Sequence, residues 1–342
     1  MTDATAHTGS GLGPVADRLH RLYDEAGVLP LLLCALILLL ALFVPHFASL
    51  ENVRNILRDS AFLMIVACGQ MLVLIVGGFD LSVGAVVALS SVVSALLMAG
   101  LKEPLAGDPV LIAVIGVLAG LGSGLAVGLA NGLCVAWLQI SPFMVTLGTM
   151  SIAGGIAFLL TNGIPVYGMP AGYVQGFGRG LVLALPPAVY LAIAVVIALW
   201  IVQNLTRGGR YIFAIGGNLE AAVVSGVRTK SYLVIVYALS AVLAALTGLA
   251  LTAEIGSGQA SMGAQLTLES IAASVIAGVS LRGGVGRVEM VALGAIFLLI
   301  LTNAMDLLNI DTRLQTILVG IILVLAVAAE EARARRRLSA QH

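Results

Sequence analysis

The sequence predicts an all-α, polytopic membrane protein of about ten transmembrane helices, arranged as two inverted five-helix halves. Three observations lead there. Apolar residues make up 60% of the 342 positions and charged residues 10%, with a mean hydropathy of +1.10, whereas a soluble domain carries about 25% charge. Ten apolar stretches approach the roughly 20 residues that a helix needs to cross the hydrocarbon core. Finally, two glycine-interrupted windows recur at corresponding places. Residues 77–85, GGFDLSVGA, and 256–264, GSGQASMGA, agree at Gly77 and Gly256, Ser82 and Ser261, Gly84 and Gly263, and Ala85 and Ala264. Each window follows the second span of a five-span half, and an odd number of spans inverts one half relative to the other.

Residues 1–27 read as a cytoplasmic leader. The first apolar stretch, 28–45, resembles a signal peptide in length, but Asp17, Asp24 and Glu25 precede it and no small-residue cleavage site follows Val44, so an uncleaved helix is expected. The further spans are expected at about 61–77, 81–99, 109–137, 142–160, 186–204, 231–253, 265–280, 288–308 and 314–329, which closes a transmembrane domain of 28–329 and leaves a basic tail, 330–342. In the fourth, Gly116, Gly120, Gly124, Gly128 and Gly132 recur every fourth residue and make a side-chain-free ridge for close helix packing. Ser141 and Pro142 mark a helix start. The loop from Asn162 through Gly180 is glycine-rich and weakly charged, and is either a receiving surface for a partner or a plain connector.

Both termini are expected in the cytoplasm. That orientation places Arg18, Arg21, Arg207, Arg210, Arg228, Lys230, Arg282, Arg287, Arg333, Arg335, Arg336 and Arg337 inside, against Arg54, Arg58, Lys102, Arg179 and Arg313 outside, as the positive-inside rule requires. Basic and acidic residues balance at 17 each, which gives no argument for a nucleic-acid partner.

The polar residues inside apolar sequence are the functional candidates. Asp80 follows Gly77 and Gly78, which can release the backbone from helical geometry, and an intramembrane acid beside a broken helix points to a transport path. Asp80 either caps the helix that begins near Ser82 or touches the solute. Glu269 is a second acid, with a buried, hydrogen-bonded carboxyl as its plain reading. Gln259, Ser261 and Asn303 are neutral hydrogen-bonding groups that suit an uncharged polyhydroxy solute, or serve as interhelical glue. Asn131 and Asn303 both sit late in the fourth span of their halves.

No enzyme emerges. His7, His20, His46 and His342 lie away from any nucleophile, base or metal pattern, and Cys34, Cys68 and Cys134 read as small apolar side chains without metal spacing. No GxxxxGK[ST] phosphate loop is present, so energy must come from another subunit or an ion gradient. Within the cytoplasmic segment 205–230, Glu220 to Ser225 is helix-favouring and bounded by Gly216, Gly217 and Gly226, so a short helix outside the bilayer is expected, either a docking knob or an ordinary connector.

From about Asn52 to Ala328 the chain resembles the inner-membrane permease subunit of ABC sugar importers of the ribose, xylose and arabinose type. The resemblance rests on GGFDLSVG at 77–84, NGLCVAWLQISPFMVTLGTMSIAGGIAFLLTNG at 131–163, GRYIFAIGGNLEAAVVSGV at 209–227, and the run from GSGQASMGAQLTLESIAASVIAG to SLRGGVGRV ending at Val288. It implies a fold like that of the vitamin B12 importer, with ten spans per subunit and a second permease copy. It also implies two ATP-hydrolysing subunits below and a periplasmic sugar-binding protein above, with ATP bound by the partner and no cofactor on this chain. By position, Asn218, Glu220, Ala221, Ala222, Ser225 and Gly226 match the segment that couples to the ATPase. Asp80 and Ser82 match the motif that lines or braces the path. Arg282, Gln265 and Leu268 depart from the family pattern and bear on solute identity or ATPase contact. The expected mechanism has ATP binding push the 218–226 helix and rock the two halves, so that a sugar passes Asp80. The competing reading is an ion-coupled secondary transporter in which Asp80 or Glu269 titrates.

Overall fold

The computed structural model describes residues 28–105 and 108–339, with side chains as far as Ala328. The expected leader, 1–27, lies outside the described residues, and the expected tail is described only as backbone up to Ser339. Among the described residues twelve α-helices follow one another: α1 Leu29–Phe43, α2 Leu50–Ile75, α3 Val83–Gly100, α4 Pro109–Trp137, α5 Pro142–Thr161, α6 Pro187–Leu205, α7 Arg207–Gly217, α8 Leu219–Val224, α9 Thr229–Ile255, α10 Leu266–Ile276, α11 Val288–Leu307 and α12 Thr312–Ser339. A π-helix, Gly172–Gly178, sits in the loop between α5 and α6. Among the described residues, seven helices (α2, α3, α4, α5, α6, α9 and α11) are long and apolar enough to cross a membrane, and α1, α10 and the Thr312–Ala328 part of α12 are shorter apolar helices. The protein is an all-helical polytopic membrane protein.

Three elements depart from the expected boundaries. The second span was expected from 61, yet α2 begins at Leu50 behind Ser49, whose hydroxyl accepts from the Asn52 N–H at 3.3 Å. Glu51, Arg54, Arg58 and Asp59 lower the hydropathy of that first part without breaking the helix, because Arg58 pairs with Glu254 at 3.4 Å. The eighth span was expected over 265–280, but α10 has 11 residues, about 16 Å at 1.5 Å per residue, roughly half the hydrocarbon thickness. The cytoplasmic segment contains α7 as well as the expected short helix. Gly216 and Gly217 are the last turn of α7, and Asn218 alone joins it to α8.

The packing is reciprocal. α2 lies against α10 and α11, while α9 lies against α3 and α4, and α2 and α9 pack on each other. α3 contacts α5 as α10 contacts α12. The main apolar core gathers around α2 and α9, with Leu63, Ile65, Met71, Leu74, Tyr237 and Leu298 enclosed. The glycine ridge of α4 faces α9 and α3 as its spacing predicts. A methyl on Gly128 would come 2.6 Å from the Tyr237 carbonyl, and one on Gly132 would come 2.7 Å from the Val234 Cα. Small residues are what allow helices to associate where lipid offers no hydrophobic drive.

Candidate functional site

The two glycine windows meet. Gly84 N–H donates to Thr267 Oγ at 3.0 Å, and a methyl on Gly263 would sit 2.9 Å from the Gly84 carbonyl. The two positions matched by the internal repeat therefore touch main chain to main chain. Around each contact the backbone leaves the helix for a stated reason. Gly77 takes φ +77°, a left-handed geometry open to glycine, and a side chain on Gly78 would strike the Tyr237 hydroxyl. Gly256 closes α9 at φ +81°, where Arg179 donates to the Glu254 and Ile255 carbonyls at 2.8 Å each, supplying a cation to a helix C-terminus.

Asp80 lies at the foot of the first window with no exposed surface. Ser82 donates to Asp80 Oδ1 through its N–H at 2.9 Å and its hydroxyl at 2.6 Å. Ser240 of α9 donates to Asp80 Oδ2 at 3.3 Å, and Asn131 of α4 donates to Ser82 Oγ at 2.9 Å. The carboxylate thus holds the turn to two other helices. The N-cap of α3 is Ser82, without a side-chain cap bond, so Asp80 secures the residue before the helix instead of capping its first turn.

Gln259, Ser261 and Glu269 come together on the second window. They line a cavity of about 540 Å³, with Asp59, Phe62 and Gln265 among its other walls. The same segment borders two further cavities. One of about 90 Å³ reaches from Gln265 and Glu269 to Thr302 and Gln315, and one of about 320 Å³ reaches from Ser261 to Gly84 and Gly154. Asn303 is elsewhere: its amide exchanges hydrogen bonds with Asn52 at 3.0 and 2.9 Å, an α2–α11 clasp. Gly77 and Gly78 line a fourth cavity of about 570 Å³ at the opposite, Arg-rich end, with Leu219 and Val223 of α8 and with Lys230.

At that end α8 stands out from the body. Asn218 Oδ1 accepts from the Ala221 N–H at 2.9 Å and caps it, Ala222 is its buried anchor, and Gly226 turns the chain back at φ +79°. Glu220, Ala221 and Ser225 are exposed. Val224 is 88% exposed and Val223 55%. Behind it, Gly284 N–H donates to the Ile75 carbonyl at 2.8 Å, and Gly216 packs on that same carbonyl so closely that no side chain fits. α7 therefore packs directly on the end of α2, two residues before the first window.

Sequence reasoning passed over Asp59 and Ser240. Asp59 falls just before the expected second span, and an acid beside a basic residue in a helix that enters the apolar core is the available signal. Nothing in the sequence announces that Ser240 faces Asp80.

No solved structure matches the chain. Residues 52–327 match the family model described as branched-chain amino acid transport system / permease component. The ribose import permease protein RbsC of Bacillus subtilis is 38% identical over 85% of this chain and 88% of its own. The D-allose transport system permease protein AlsC of Escherichia coli is 33% identical over 90% and 92%, and the L-arabinose transport system permease protein AraH of the same organism is 36% identical over 94% of each. With a family match over most of its length and relatives of this identity along nearly all of theirs, the chain belongs to this family of ABC-transporter permease components and is a transport subunit, not an enzyme.

Proposed function

We propose that the chain is the permease of an ATP-driven importer that carries a monosaccharide or related polyol, delivered by a periplasmic binding protein, across the bacterial inner membrane. The observation that carries this reading is the similarity, along nearly the whole chain, to permeases named for ribose, allose and arabinose. In it, α1–α5 and α6, α9–α12 are the two inverted halves of a ten-span subunit with both termini cytoplasmic. Reciprocal helix packing and the Arg-rich end support that reading. Two copies assemble with two ATPase subunits, and ATP is bound there. Gln259, Ser261 and Glu269 line the solute path, a solvated and weakly binding passage, because a tight site would impede release. Asp80, Ser82, Gly77 and Gly78 brace the turn beside it, and α8 with its flanks, Asn218 to Gly226, receives the push of the ATPase.

Proteoliposomes test this directly. With the ATPase subunit, the binding protein and ATP present, uptake of radiolabelled ribose, allose, arabinose or galactose is expected, with leucine as the amino-acid comparison. Uptake by this chain alone, driven by a proton or sodium gradient, would instead establish the secondary transporter.

A further inference from the structure

Asp59, Glu269 and Gln265 line the same cavity of about 540 Å³, and none of the three has a side-chain hydrogen-bond partner among the described residues. Gln259 supplies a second amide, held at Nε2 by donation to Ser257 Oγ at 2.9 Å. Phe62 closes the wall from the core side and is itself almost wholly buried. The volume is that of a small-molecule site, apolar over much of its lining with a few convergent polar groups.

We infer that this cavity is a docking point for the travelling solute, at which Asp59 and Glu269 accept hydroxyl hydrogens and Gln265 bonds a further hydroxyl. The inference rests on the importer reading and adds to it a site of selection within the permease, with Asp59 and Gln265 as new specificity-determining residues. A bare cation uses acceptors alone, whereas an amide N–H is useful only to a ligand with lone pairs, and a polyol both donates and accepts. The described residues also hold no cluster of three or more metal-ligating side chains. Hydroxyl bonds to carboxylates are charge-assisted, about twice as strong as neutral ones. Asp59, Ser261 and Gln265 are exposed, so the solute stays partly hydrated and leaves readily.

The experiment uses the reconstituted importer with its ATPase and binding protein, the four sugars named above and a deoxy analogue of each. Asp59→Ala and Glu269→Ala should each lower uptake of the best-carried sugar about tenfold, the scale of one hydrogen bond to a charged group. Its preference over the deoxy analogue should fall toward parity, and ATP hydrolysis stimulated by the loaded binding protein should remain at the wild-type level. A helix-packing role would lower uptake and leave the preference unchanged, and that result overturns the inference, as does wild-type behaviour of both variants or recovery of their uptake by added sodium. Gln265→Cys provides a measurement in an otherwise native site. Thiol labelling at residue 265, followed peptide by peptide because Cys34, Cys68 and Cys134 are also present, should slow when the transported sugar is bound, and sugar-independent labelling counts against docking. Should the wild-type complex carry none of the four sugars, it is the importer reading that fails, since the variants are scored only against wild-type transport.

Discussion

Asp80 shows how one carboxylate can matter without touching solute. Its two oxygens are occupied by Ser82 and Ser240, and a hydrogen bond to a charged group is worth about 1.5–3 kcal/mol. Asp80→Asn turns one of the two acceptor oxygens into a donor, so that either the Ser82 side or the Ser240 side loses its acceptor. Uptake per folded molecule is expected to drop more than tenfold, while the monodisperse yield in detergent falls less than twofold. Asn303→Ala should do the reverse. Losing the Asn52 clasp lowers thermal stability by about 1 kcal/mol and leaves sugar uptake intact, because no cavity described above includes residue 303. The acid and the glycines before it were legible in the sequence as an interruption. The partners were not, since Asn131 and Ser240 lie 49 and 160 residues from the groups they bond, and only the packing of α4 and α9 brings them in.

Among the elements, α4 was the most legible, because a four-residue glycine period has a single structural meaning along a helix. Gly128→Leu is expected to abolish accumulation of folded protein, since its first carbon already falls 2.6 Å from a backbone oxygen, beyond what ordinary overpacking of about 1–3 kcal/mol describes. Gly122→Leu on the open face, with nothing within 4 Å, should express normally. α8 was legible as a short helix, and its attachment was not. Glycines that read as hinges, Gly216 and Gly217, belong to α7, and Gly216 is pressed against Ile75. Glu220→Arg, an exposed position on α8, is expected to leave the fold intact and to separate ATP hydrolysis from transport, with hydrolysis retained and uptake reduced at least fivefold. Equal hydrolysis-to-uptake ratios in variant and wild type would remove α8 from the coupling route. The half-length of α10 was hidden by the apolar residues after it, since hydropathy reads composition and not where the chain turns.

For the whole molecule, the arrangement of charge and the reciprocal packing make orientation testable. Cysteine at Val224, 88% exposed, should react with an impermeant thiol reagent only in inside-out vesicles, and cysteine at Tyr167, 65% exposed, only in right-side-out ones. Composition and the ten apolar stretches made the class of the molecule readable from its sequence, and the repeat of nine residues pointed to the places where helices break. What the repeat did not reveal is that its matched members, Gly84 and Gly263, abut. On the importer reading, this close backbone contact, crossed by the bond from Gly84 to the Thr267 hydroxyl, is where two arms would tilt like a balance beam, whatever width is gained above it being surrendered below.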